Sequence, residues 1–405
     1  MLSASLAQQI ARDTSEVIGY NVLITDEHGI VIGSGDTGRL GSFHEASVDV
    51  LASQQAAWHT AAEAQRLRGV KPGMTLPIVI DGEAVGTVGI TGSPRQVRRF
   101  GLVVRRQTEI LLQESVELRS RLLRERALEE LVRDIGSFDA DVVDPAFVVA
   151  RAKELGYDLT IPRTVVIVDV DEPVPVGTGN GGVPDVATLR PEVLRTLRQT
   201  FGSADLVAAM TAGRFAVLPV LDRGRGAADD RNGRGSGADH RLRLAEVAVR
   251  TIAAEHGFAS RAGVGGVARG IAALREAHAD AGDALRLGKG PESAYVIDDL
   301  RGHQVLAAVG HRARARLVSL VAGDLATHAD WPELRATLIA WCESGFNLVR
   351  TAEALHIHRN TLIYRLEKIE RLTNHPWRDH KATLTTYLAC LASQLDTPEP
   401  ERPKN

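Results

Sequence analysis

From Pro94 to about Ile135 the chain carries one uninterrupted helical pattern, and that run constrains everything around it. Val97, Phe100, Val104, Leu111, Leu118 and Leu122 recur at spacings of three, four or seven, while arginines and glutamates take most of the remaining positions. A helix with such a seam suits pairing with a second copy, carrying a signal between domains, or lying on its own domain. It also divides the chain into a part before and a part after. At 405 residues there is room for roughly two to four domains of ordinary size.

Residues 1–93 read as helix, hairpin, helix, hairpin. "LAQQIARDTSEVIG" is helical, and "YNVLITDEHGIVIGSG" gives two β-rich runs about a "DEHG" turn. Tyr20, Val22 and Ile24 alternate as a half-buried strand should. His44 to Arg68 reads as a second helix. "MTLPIVIDGEAVGTVGITG" follows, a hairpin about Asp81-Gly82, since both residues tolerate positive φ. In 136–300, "RTVVIVDVD", "DLVAAM", "RFAVLPV" and "RAGVGGVA" are strand candidates, with helices near 187–200, 240–257 and 270–287. Two interruptions, 173–185 and 222–240, read as disordered loops, because Gly-rich stretches without aromatic residues bury too little surface. Residues 301–395 read as helical throughout, and 396–405 as a polar tail.

A net charge of −3 excludes a strongly basic protein, so any nucleic-acid contact needs a local patch. Two cysteines, Cys342 and Cys390, make neither a disulfide framework nor a zinc site. No apolar run approaches the ~18 residues of a membrane span, and charge enters the opening residues before a signal-peptide core can form. A cytoplasmic protein is expected. No Walker loop, nucleophile elbow or His-rich metal motif is present. "GVGGVARG" (263–270) lacks the acidic residue and βαβ context of a dinucleotide site. Neither catalytic residue, cofactor nor metal is expected.

The stretch "TAEALHIHRNTLIYRLEKIERLTN" (351–374) holds the strongest signal. With Arg359 to Leu372 as one helix, Leu362, Leu366 and Ile369 share a stripe edged by Ile363 and Leu372. Asn360, Tyr364 and Arg371 lie opposite, with Thr361 and Lys368 beside them. A short helix, a tight turn and a second helix with a cationic outer face make a helix-turn-helix, whose second helix enters the DNA major groove by its N-terminal residues. Asn360 can pair with an adenine edge and Thr361 can offer its hydroxyl or methyl. Arg350, Arg359, Arg365 and Lys368 would sit near phosphates. His358 and Tyr364 complete the candidate set. Glu353, Glu367 and Glu370 offset several cations, which points to a dimer reading two half-sites. On spacing alone, a merely solvated polar face stands level with this.

"HRNTL-YRL-KI--LT" resembles the C-terminal helix-turn-helix of the PucR-type regulators, which include the carbohydrate diacid regulators. His356 stands where many such motifs carry Gly, so the backbone there is expected to avoid positive φ. Asn374 replaces the usual Gly after "LT" as a left-handed cap. "LAQQIARDTSEVIGYNVLITDEHGIVIGSGDTGRLGSFHE" and "GVKPGMTLPIVIDGEAVGTVGITG" resemble the sugar diacid recognition domain of the same subfamily. The resemblance implies a transcription regulator binding double-stranded DNA as a homodimer or higher oligomer, with a small sugar acid such as glucarate, galactarate or glycerate as effector. Arg39 and His44 would then be carboxylate partners and Lys71 would serve the other end. Gly41, Gly89, Thr91 and Gly92 would bring further donors close. Alternatively these glycines serve turns and Arg39 is a surface charge. His28 should face solvent.

The middle region resembles the ferredoxin-like palm of nucleotide cyclases that bear a GGDEF signature. Gly213-Arg214 stand where its acidic residues would be, and Asp169 alone cannot hold two metal ions. The expected fold is multidomain α+β: a sensor domain (1–93), a linker helix (94–135), a degenerate cyclase-type middle domain (136–300) and an all-α helix-turn-helix domain (301–395). Rival functions are a regulator of purine or amino-acid catabolism with the same DNA module, and a nucleotide-signalling enzyme.

Overall fold

The computed structural model describes residues 3–170, 186–221, 236–289 and 293–396. The expected loop 173–185, most of 222–240 and nearly all of the expected tail lie outside these. Residues 236–240, expected in that second loop, instead open a helix. The chain divides into two compact units, Met1–Arg124 and Glu125–Asn405.

In the first unit α1 (Ala4–Ile18) stops at Gly19, left-handed at φ 71°. Strands β1 (Val22–Thr25) and β2 (Val31–Ser34) follow, and in their turn the Asp26 carboxylate accepts from the N–H groups of His28 and Ile30. Then come α2 (Glu45–Ser53), β3 (Ala57–His59), α3 (Ala61–Ala64), β4 (Gly73–Ile80) and β5 (Glu83–Thr91). The five strands form an antiparallel sheet ordered β2-β1-β5-β4-β3. Asp81 and Gly82 both take positive φ in the β4–β5 turn, as its sequence required.

Two expectations are corrected here. His44–Arg68 is not one helix: Gln54 ends α2 at φ 53°, and Ala57–His59 pairs with β4 instead. An open sheet edge competes with helix propensity, and the edge wins. Nor is β1 half-buried, for Val22, Leu23, Ile24 and Thr25 are all buried. Val22 and Ile24 pack with α1 and the long helix α4 (Pro94–Gly136), while the opposite face of the sheet lies under α2. Gly101 lets α4 approach: a Cβ there would stand 2.2 Å from Met74 Cε.

In the second unit the order is α5 (Pro145–Glu154), β6 (Val166–Val170), α6 (Val186–Thr200), β7 (Leu206–Ala209), β8 (Arg214–Leu218), α7 (Ser236–His256), β9 (Ser260–Val264), α8 (Gly270–Leu287) and β10 (Ala294–Val296). The sheet runs β10-β9-β6-β8-β7, so β6 to β9 trace a βαββαβ unit and β10, which the sequence did not announce, adds parallel to β9. α6 and α7 fill one face. On the other, Leu128, Leu131, Val132 and Ile135 of α4 join α5 and α8.

The remaining elements are helices: α9 (Ile297–Ala308), α10 (His311–Val321), α11 (Gly323–Thr327), α12 (Trp331–Glu343), α13 (Leu348–Ala354), α14 (Arg359–Thr373) and α15 (His380–Asp396). Their core gathers Leu325, Leu334, Leu338 and Trp341 with the Leu362, Leu366 and Ile369 stripe of α14. Among the described residues no helix is long and apolar enough to cross a membrane.

Candidate functional site

Helices α13 and α14 and the turn between them are built by caps. Asn347 accepts the N–H groups of Val349 and Arg350 at the start of α13. The His358 ring accepts that of Asn360 at the start of α14. Between them His356 sits at φ 51°, contrary to the expectation that a non-glycine there avoids positive φ. Two backbone bonds hold it: Ile357 N–H to Ala352 O at 3.0 Å and His356 N–H to Glu353 O at 3.1 Å. This paired closure offsets the roughly 1 kcal/mol that a left-handed side chain costs. Asn374 ends α14 at φ 56°, the left-handed cap expected of it.

This frame sorts the candidate residues into two groups. Arg350, His358, Arg359, Asn360, Thr361 and Tyr364 are exposed, and all but Arg350 crowd the first turns of α14. Tyr364, an aromatic side chain that a closed core would take, is 57% exposed. Arg365 and Lys368 are placed differently. Arg365 donates to the Glu333 carboxylate at 2.9 Å, and Lys368 is ion-paired with Asp330, so both tie α14 to the first turn of α12. Their charge is largely neutralised within the protein. Arg371 and Arg378, outside the candidate set, line a groove of about 890 Å³ with Arg359, Tyr364, Glu367 and Trp377. Arg378 stacks over the Trp377 ring, 4.9 Å from its centroid. Only the fold of the loop after Asn374 brings it there.

A second constellation lies in the first unit. Arg39 is 8% exposed and His44 is 3% exposed, so Arg39 is not the surface charge it could have been. Arg39 Nη2 donates to Gly69 O at 2.5 Å, while Nη1 is buried without a partner among the described residues. Arg163, also buried, makes the contrast: its guanidinium donates to the carbonyls of Asp158, Ala204 and Leu218. A buried guanidinium with an unused N–H is costly and is relieved by an anion. Beside it His44 Nδ1 lies 2.8 Å from Ser47 Oγ, which is 2.7 Å from Thr87 Oγ1, itself 2.8 Å from Thr25 Oγ1. Ser47, Thr87 and Thr25 were not legible as candidates, because only the β1–β5 register brings the two threonines opposite each other.

The other sensor candidates are spread. Lys71 pairs with Asp36 at 3.2 Å, and that bond holds the Asp36 carboxyl below its ordinary range. Gly41 takes φ 74° in the turn. The N–H groups of Thr91 and Gly92 are already bound to the carbonyls of Asn21 and Pro72. Gly89 makes room for Leu23, whose Cγ would be 3.1 Å from a Cβ there. His28 is exposed at its turn.

Burial, then the charges of Arg39 and His59, push the His44 imidazole down to about 4. It is therefore neutral in the folded chain over a range where an unfolded histidine, near 6.5, is protonated. Protons then bind the unfolded state preferentially, so stability present above pH 6.5 is lost as pH falls toward 4, by about 3 kcal/mol. Thermal scans at pH 7 and pH 4.5 check this. The transition of the first unit should shift less with pH in a His44→Gln variant.

In the second unit Asp169, on β6, stands opposite Arg214, on β8. Arg214 Nε and Nη2 reach the two Asp169 oxygens at 2.5 and 2.6 Å. A guanidinium thus occupies the carboxylate that a metal would need. Among the described residues no group of three or more His, Cys, Asp or Glu could hold a metal ion.

Comparison with known proteins bears on all three places. A family model described as "Putative sugar diacid recognition" matches residues 2–135, a "GGDEF-like domain" model matches 139–287, and a "PucR C-terminal helix-turn-helix domain" model matches 334–392. The chain is 32% identical over 400 residues to the "Carbohydrate diacid regulator" of Escherichia coli (strain K12), covering 98% of each. It is 25% identical over 398 residues to the uncharacterized protein YsfB of Bacillus subtilis (strain 168), covering 98% of this chain and 99% of that one. A solved regulator of polyketide synthase expression from Bifidobacterium adolescentis aligns with 68% of this chain and 100% of its own, at 15% identity and a TM-score of 0.30. The chain belongs to the carbohydrate diacid regulator subfamily of the PucR-type helix-turn-helix transcription regulators.

Proposed function

We propose that this transcription regulator binds specific double-stranded DNA through α14 as a dimer, under the control of a small sugar acid held in its first unit. The observation that carries the DNA reading is the sorting on α14: three leucine and isoleucine side chains are buried, while Asn360, Thr361 and Tyr364 stay in solvent beside Arg359. Base-edge donors and phosphate partners meet at the end of the helix that enters a groove. Acting on DNA in this way places the protein in the cytoplasm.

Arg39 and His44 carry the effector reading. The unused Arg39 N–H suits one carboxylate oxygen, and the neutral His44 ring suits a neighbouring hydroxyl. Lys71 and the Thr91 hydroxyl would serve the far end of a glucarate, galactarate or glycerate, with Gly41, Gly89 and Gly92 shaping the backbone around it, since the main-chain N–H groups of Thr91 and Gly92 are already bound. α4 starts in one core and ends in another, so a ligand that favours one arrangement of the first unit acts on α4. The functional divisions are residues 1–93, 94–135, 136–300 and 301–395. The βαββαβ order supports a ferredoxin-like middle domain, and its Asp169–Arg214 pair argues against nucleotide-cyclase chemistry there.

Selection of bound duplexes from a randomised pool tests the first part, followed by shifts between about 50 and 200 mM salt. A recurrent sequence is expected, and its binding should weaken steeply with salt. Salt-dependent binding without sequence preference would reject specific regulation.

A further inference from the structure

Between its buried ends α4 is bare. Residues 113–123 are exposed in every position, yet the segment is not polar throughout, as a helix that merely crosses solvent is. Leu118 and Leu122 are 55% and 50% exposed, and Val116 and Leu123 are as open. Leu111, Ser115, Leu118 and Leu122 follow at steps of four, three and four, the alternation of a two-stranded coiled-coil seam. The stripe runs back through Thr108, Val104, Gly101 and Val97, all buried in the first unit. Where the sheet ends, the stripe continues uncovered.

We propose that residues 111–122 of α4 pair, parallel and in register, with the same segment of a second copy of this chain. Ser115 and the first flanking charge pair favour this occupant. In a parallel pair Glu114 of each copy faces Arg119 of the other, and two-fold symmetry makes the attraction twice. The last flanking pair, Arg121 with Arg126 of the other copy, is like-charged and brackets Leu122, where the seam ends; α4 enters its own second core from Leu128. Ser115 lies in the seam opposite its own equivalent, so an in-register pair leaves no hydroxyl facing a leucine. The parallel sense also sets equivalent ends side by side, as two half-sites require. That sense, though not the pairing itself, rests on the function proposed above.

Light scattering on the full-length chain should give the mass of two copies, and a Leu118→Glu/Leu122→Glu variant the mass of one. Both leucines are exposed in a single copy, so circular dichroism should stay unchanged and the thermal transitions should lose only their dependence on chain concentration. The dissociation constant should rise on the order of 100-fold. Under mild oxidation Leu111→Cys should give a covalent dimer, while the parent chain, carrying only Cys342 and Cys390, should not. A parent chain that stays single at every concentration overturns the proposal, as does a double-glutamate variant that stays paired. A paired Leu111→Cys chain that does not cross-link overturns the parallel register. A chain that pairs as expected but selects no DNA sequence counts against the DNA reading and leaves the pairing standing.

Discussion

Asn360→Ala should erase the preference for the selected DNA sequence while leaving binding to random duplex nearly intact. Asn360 is exposed on the first turn of α14, and its main-chain N–H is fixed by the His358 ring, so removing its amide leaves the helix start in place. A bidentate amide–adenine contact contributes about 1–3 kcal/mol of discrimination, or roughly 5- to 150-fold between the preferred site and its variant. Arg359→Ala should behave in the opposite way, weakening every duplex and lowering the salt slope by about one. Arg365→Ala and Lys368→Ala are expected to change affinity mainly by loosening α14 from α12, since Glu333 and Asp330 already hold those charges. Electrophoretic shifts on the selected and scrambled duplexes at two salt concentrations separate the three outcomes. Unchanged specificity in the Asn360 variant would mean that α14 lies the other way in the groove.

Arg39→Met should abolish effector binding and yet spare the apo protein. If the buried guanidinium awaits a carboxylate, replacing it by an apolar side chain of similar length removes an unsatisfied group, so the ligand-free chain should be as stable or more so. Loss of a buried charged partner costs about 2–5 kcal/mol of binding, roughly 30- to 5,000-fold in affinity. Calorimetric titration with glucarate, galactarate, glycerate and a panel of purines reads the ligand side, and a thermal scan reads the other. Strong destabilisation of the apo chain would instead make Arg39 a structural bolt through its bond to Gly69. Tight binding of a purine would move the chain to the rival class of regulators sharing its DNA module.

How far these residues could be read in advance follows from the range of the forces involved. The α14 stripe, the Asp81-Gly82 turn and the Asn374 cap are local patterns, and all were legible. The strand at Ala57–His59 was not, since it depends on an edge of β4 that lies elsewhere in the sequence. His356 misled for a related reason: its own side chain argues against positive φ, and the bonds that impose it come from Ala352 and Glu353. Arg39 and His44 were named from composition and resemblance. The hydroxyl chain behind His44 needs three elements to meet, and no spacing rule reaches that far. Arg365 and Lys368 show the converse limit. A helical wheel places their cations toward solvent, and only the packing of α12 reveals that two acids intercept them.

The Asp169–Arg214 pair has a consequence for the working protein. A carboxylate left open at that strand end would be a fragment of a cation site, needing further ligands before it could hold magnesium. Closed by a guanidinium on both oxygens, it offers a cation nothing to bind, so magnesium should leave the stability of this sheet unchanged.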